Sequence, residues 1–286
     1  MPDHTSVARL RAGYTGERLA TAKAGISRKG SIGIDECRPE QLPFRALFAL
    51  GYLSNDPHEY EGPTGWQTAV LSAYTVTFSP RWDRLVIITK VPDNVTSRLL
   101  PGPAGRSGLP GLRLVEHCGF SSYVLRHLPT GAEFVVTRNL SGKSAGTPSL
   151  PSIDGLTTAA PITKAEQEQL RRTPDMTEDA QRLLAGLLAR TTTRDPGRSW
   201  AIGNWFYDPL KWPGWPDRNH RGRRRLRGRG DHWVLSWDSF PYESDLVTAM
   251  TDPVIGVAEA QWGRDDGDTV ITLGNATLRL RPGWDS

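Results

Sequence analysis

Seven arginines crowd into twelve residues, Arg218, Arg221, Arg223, Arg224, Arg225, Arg227 and Arg229, with Asp217 and Asp231 at the two ends. A guanidinium is a planar fork of donors that meets two phosphate oxygens at once. Each phosphate it neutralises also releases counterions from a nucleic-acid backbone. Just ahead of the cluster, Lys211 adds a further cation, and Trp212 and Trp215 stand among Pro213 and Pro216, which restrict the chain. Indole rings held stiffly stack on unpaired bases, a contribution of about 1–3 kcal/mol per base. These residues form a polyanion-binding set whose expected partner is nucleic acid, DNA or RNA. An acidic protein surface or a neighbouring subunit of an oligomer presents carboxylates to the same forks and is the second expectation. No helix-turn-helix, zinc-finger, RRM or KH pattern accompanies the cluster, so nothing points to base-specific readout.

Other reactive side chains lie scattered. His58, Glu59, Tyr60 and Glu61 could ligate a metal but lack the helical spacing of a zincin. Glu116, His117 and Cys118 are adjacent, yet on a strand His117 faces away from both neighbours, which argues against a thiol–imidazole pair. His232 and Asp238, an even number of positions apart, share a strand face. With Asp231 and Asp245 they could gather a divalent ion for nuclease chemistry, the weakest of the three functional readings. There is no GxxxxGK[ST], no GxSxG and no GxGxxG after a strand, so no catalytic residue, metal or cofactor is assigned.

Composition sets outer bounds. The chain has 286 residues, a formal net charge of +4 and a pI near 9.2, so its basic character is local. Arginine outnumbers lysine 29 to 6, a bias that a high-GC genome produces without help from arginine chemistry. The two cysteines, Cys37 and Cys118, cannot build a zinc site alone. The first residues lack the apolar core of a secretory signal, and no run reaches the roughly 18 apolar residues of a membrane span. A cytoplasmic location without membrane contact is the expectation.

The elements that must carry the arginines follow from periodicity. Trp205 to Tyr207 and Trp233 to Trp237 have the aromatic and alternating character of strands. The residues between them are highly charged and contain Gly222, Gly228 and Gly230. That composition predicts a long hairpin whose insertion, residues 212–230, is a solvated basic tip. On this reading, substitution of Arg223, Arg224 and Arg225 leaves stability unmoved. Elsewhere, residues 1–35 read as an N-terminal arm with a short helix, and 36–138 as a first α+β unit. Residues 139–161 are poor in large apolar side chains and read as a linker. The bridging helices fall in 162–196. Thr163 with Glu166, and Asp175 with Glu178, have the spacing of capping boxes. The second α+β unit spans 197–286.

The two units share a grammar. Two strands, a proline-led short helix and three further strands occur in each, with LPGLRLVE (109–116) matching DPVIGVAE (252–259). An α+β fold of two pseudo-repeated ββαβββ units with antiparallel sheets is therefore expected, joined by the linker and the leucine-rich helix.

Overall fold

The computed structural model describes residues 3–54, 71, 74–101, 108–118, 122–138, 160–194, 224–237 and 241–283. Three helices come first: α1 (His4–Thr15), α2 (Leu19–Ala24) and α3 (Gln41–Tyr52). Gly16, left-handed at φ 71°, ends α1 and divides the expected single helix in two. Then follow β1 (Thr75–Pro80), β2 (Arg84–Thr89), α4 (Pro92–Leu99), β3 (Leu112–Cys118), β4 (Ser122–His127) and β5 (Glu133–Arg138). After α5 (Lys164–Arg171) and α6 (Glu178–Arg190), the second set is β6 (Arg224–Arg229), β7 (His232–Trp237), α7 (Glu243–Thr251), β8 (Gln261–Asp265), β9 (Asp268–Leu273) and β10 (Ala276–Pro282).

The strand orders are β1-β2-β5-β4-β3 and β6-β7-β10-β9-β8, so the two units have one topology. Both sheets are mixed rather than antiparallel, because β2 pairs parallel with β5 and β7 with β10. The helix after the second strand carries the chain to the far edge and starts the third strand in the second strand's direction. A three-strand meander then returns the last strand alongside it with the same polarity. Each unit is also preceded by a helix, α3 or α6, and these two pack on one another. Leucine-rich α6 is thus the counterpart of α3 as well as a bridge.

One apolar cluster joins both units. It runs from Phe44, Phe48 and Tyr52 on α3, through Leu183, Leu184, Leu187 and Leu188 on α6, to the inner faces of the sheets at Ile87, Phe134, Leu235 and Leu280. Burial alternates along β4, β7 and β10, where Ala276, Leu278 and Leu280 of β10 face the core, whereas β2 is buried on both faces from Leu85 to Thr89. Five arginines, Arg11, Arg45, Arg113, Arg190 and Arg224, are also withdrawn from water, each with at most 2% of its surface exposed.

Two further sequence expectations change. Thr177, not Asp175, caps α6, its hydroxyl accepting from the Ala180 N–H at 3.2 Å. The segment 252–259 is a turn held by the Gly256 N–H on the Asp252 carbonyl, and the strand matching β3 is β8 further on. Cys37 is a free, half-buried thiol whose pKa burial pushes up. The 139–159 part of the expected linker lies outside the described residues.

The Thr163 and Glu166 capping box forms as expected, and it does more than cap. Glu166 is buried and takes Arg113 Nη1 at 2.7 Å and Nη2 at 2.9 Å, with the Gly111 N–H at 2.8 Å. Burial alone would raise its pKa. The Arg113 fork and the Thr163 and Gly111 amides outweigh that and hold the carboxyl down at about 2. A depressed carboxylate contributes stability that is complete above its unfolded value near 4.5 and lost as pH falls towards 2. Glu166→Gln should therefore lower stability by about 3 kcal/mol at pH 7, as for other broken buried pairs. In urea melts, the gap to wild type should close between pH 4.5 and 2. A gap that stays constant over that window would show that the ion pair is not what holds α5 against β3.

Candidate nucleic-acid interface

The basic hairpin of the second unit is β6–β7, with its arginines placed along a strand rather than at a tip. Register pairs Arg224 with Trp237, Leu226 with Leu235 and Arg229 with His232, leaving a two-residue turn at Gly230 and Asp231. Gly230 supplies the positive φ, 59°, that such a turn favours at its first position. Its N–H bonds the Asp175 carbonyl at 2.7 Å, and its carbonyl takes the Trp233 indole N–H at 3.0 Å. In the first unit, β1 and β2 meet at an equally plain turn, with Pro80 opposite Leu85. No insertion therefore sits at the second hairpin's tip. Arg218, Arg221, Arg223, Lys211, Trp212, Trp215 and the expected first arm at 205–207 lie outside the described residues.

Alternation splits RRLRGR between two faces. Arg224, Leu226 and Gly228 point inward, so part of the supposed solvated tip belongs to the core. Gly228 has no substitute there: a Cβ would stand 2.8 Å from the Trp233 ring. Arg224 donates from Nε at 3.1 Å and Nη2 at 2.5 Å to the Tyr52 carbonyl at the end of α3. Its guanidinium carbon lies 5.7 Å from the Tyr52 ring centroid. Desolvation pulls its pKa down to about 9, which leaves it charged at neutral pH, and burial pushes the Tyr52 hydroxyl up to about 12.

Arg225, Arg227 and Arg229 take the outer face, and neighbours extend that set. Arg225 stands opposite Ser236, which is opposite Arg281; Arg227 stands opposite Val234, which is opposite Arg279; Arg229 and Thr277 flank His232. Arginines along one strand are about 6.7 Å apart and those on β6 and β10 about 9.6 Å apart, by ordinary strand geometry. Five guanidiniums thus share one sheet face. Arg279 and Arg281 share Asp268 at 3.1 and 3.0 Å, Arg279 also holds Asp265, and exposed Arg229 meets exposed Asp175 at 3.1 Å. The Arg281 hydrogen bond holds the Asp268 carboxyl below the usual range. Arg227 is exposed and has no ion-pair partner among the described residues. Among the described residues, Arg229, Arg279 and Arg281 are thus paired with carboxylates, while Arg227 stands in water without one.

The first unit presents the opposite character at matching places. Register puts Val135 where the second unit has Arg279, and Thr137 where it has Arg281. There Val86, Ile88, Val135 and Val124 form a small apolar cluster of their own. Sequence reading passed over Arg279 and Arg281, although the Leu278-Arg279-Leu280-Arg281 alternation marks both as outward-facing.

The metal reading finds no support in the described geometry. His232 Nδ1 lies 3.1 Å from Thr277 Oγ1, Asp231 accepts from Thr177, and Asp245 belongs to α7. No group of three metal-capable side chains occurs among the described residues, and Asp238 lies outside them. No described helix is long and apolar enough to cross a membrane. Comparison of the chain with family models, with curated proteins and with solved structures finds no match.

The two faces of β6 respond differently to truncation. Arg224→Ala should cost about 2–4 kcal/mol, because it empties a buried site and strands the Tyr52 carbonyl. Arg227→Ala should stay within about 0.5 kcal/mol of wild type. Equal thermal midpoints for both variants would contradict the assigned register.

Proposed function

We propose that this is a nucleic-acid-binding protein whose contact surface is the outer face of the second sheet, in a binding rather than a catalytic role. The observation that supports it is the co-facial set Arg225, Arg227, Arg229, Arg279 and Arg281 around β7. The sheet fixes the spacing of the Cα atoms that carry these guanidiniums, so binding has only their side-chain rotamers to order. Phosphate oxygens displace the carboxylate of Asp175 at small cost, since exposed ion pairs contribute little, and compete with Asp265 and Asp268 for the half-buried guanidinium of Arg279. Contacts of this kind follow the backbone and carry no sequence preference. Lys211, Trp212, Trp215, Arg218, Arg221 and Arg223 precede β6 directly in the chain and supply further cations and stacking rings to the same partner.

Salt dependence tests this reading. Each phosphate contact adds about −0.9 to the log–log slope of affinity against salt on duplex DNA. Changing Arg225, Arg227 and Arg229 together to alanine should flatten the slope by about 2–3. The thermal midpoint should hold, as these side chains point away from the core. Should the triple variant keep the wild-type slope, the face is not the phosphate contact. If it instead loses self-association while binding DNA normally, the arginines dock an acidic protein surface.

A further inference from the structure

Each sheet ends in two edge strands, and an open edge offers unpaired N–H and C=O groups to any other strand. Three of the four edges are blunted. At β1, the Phe78 N–H is taken by Thr192 Oγ1 at 2.9 Å and the Pro80 carbonyl by Arg11 at 2.7 Å. At β6, Ser54 Oγ meets both the N–H and the carbonyl of Leu226, at 3.3 and 3.4 Å. β3 breaks its ladder with a bulge between Leu114 and Glu116. β8, the counterpart of β3, has none of these. Its ladder with β9 is unbroken, and all five of its residues are exposed. Among the described residues, the one side chain on its backbone is Arg279, from within the same sheet, at the Asp265 carbonyl.

We infer that β8 pairs antiparallel with β8 of a second copy of this chain, about a two-fold axis at Gly263. The strand is self-complementary in that register: Trp262 falls opposite the second copy's Arg264, and Gln261 opposite its Asp265. A guanidinium over an indole is attractive, so two cation–π pairs form where like residues would otherwise meet. Backbone parity agrees. The two-residue turn Asp266-Gly267 makes Asp265 and Asp268 a hydrogen-bonded pair, which directs the amides of Gly263 and Gln261 towards β9 as well. The groups left facing outward belong to Trp262 and Arg264, the residues that pair across the axis. Trp262, 56% exposed, rims a cleft of about 450 Å³ between β8 and α7 with Val247 and Pro253, and Val254 beside it is 48% exposed.

A five-residue edge is small beside a standard interface, so association belongs in the micromolar range, with a Kd no weaker than about 100 µM. Gly263 has open space where a Cβ would stand, which makes Gly263→Cys a gentle probe. At the axis, two such thiols fall within disulfide reach, so mild oxidation of the full-length chain should yield covalent dimer. Gln261→Cys, whose copies would be about 14 Å apart in this register, should not. In sedimentation equilibrium, Trp262→Arg should weaken association at least tenfold by opposing arginines. The exchange Trp262→Arg with Arg264→Trp should restore it to within about threefold, because it recreates the same pairs. Thermal midpoints of these edge variants should match wild type. A chain that stays monomeric up to about 500 µM, beyond the affinity expected of so small an edge, would overturn the inference. So would equal cross-linking of both cysteine variants, or a double exchange as weak as Trp262→Arg alone.

Discussion

A guanidinium that leaves water keeps its charge, and the carbonyls it then requires decide how the two halves of this chain are joined. Arg190, on α6, donates to Asp35 in the N-terminal segment and to the Ile255 carbonyl in the second unit. Arg224 reaches from β6 to the last turn of α3. Arg11 gathers the Gly25, Ile32 and Pro80 carbonyls, and Arg45 takes the Arg81 carbonyl at the β1–β2 turn. Such sites are expensive to leave unmet, so each fixes a loop or strand end that apolar packing alone would leave loosely placed. The shared core supplies attraction between the units; Arg190 and Arg224, which cross between them, supply the particular arrangement.

Within that frame, one topology has been given two exteriors. The inner faces of both sheets meet the same demand, burial against α3, α6 and their shorter neighbours, and both answer it with leucine, valine and aromatics. On the opposite faces the units diverge: in the first, Val86, Ile88 and Val135 are buried there too, whereas in the second arginines stand at the matching places. The divergence costs the second unit little, because an outward arginine on a strand keeps its head in water and lays its stem along the sheet.

Much of this was legible from local pattern. Local pattern located β1, β2, β3, β4, β5, β7, β9 and β10, and the order of strands and helices revealed the doubled unit. The Thr163 box was visible because its parts are three residues apart. What escaped the sequence depended on distant partners or on none. Arg224 reads as a surface charge until Tyr52, 172 positions away, supplies its carbonyl. β8 has no apolar alternation because neither of its faces is buried, so its composition resembles a loop. Arg279 and Arg281 read as outward-facing, but their sharing a face with β6 follows from the parallel β7–β10 pairing, which no local spacing encodes.

The short β6–β7 turn has one more effect, on the phase of the strand it follows. Side chains on a strand alternate without exception, so sliding β6 by one residue would exchange its two faces. Arg225, Arg227 and Arg229 would turn into the core, and Leu226 would be left in water. Two anchors forbid the slide: the turn at Gly230 and Asp231 on one side, and the bond from Arg224 to Tyr52 on the other. Which arginines are displayed is thus settled by an arginine that is not, and the cationic surface keeps its parity through a residue hidden beneath it.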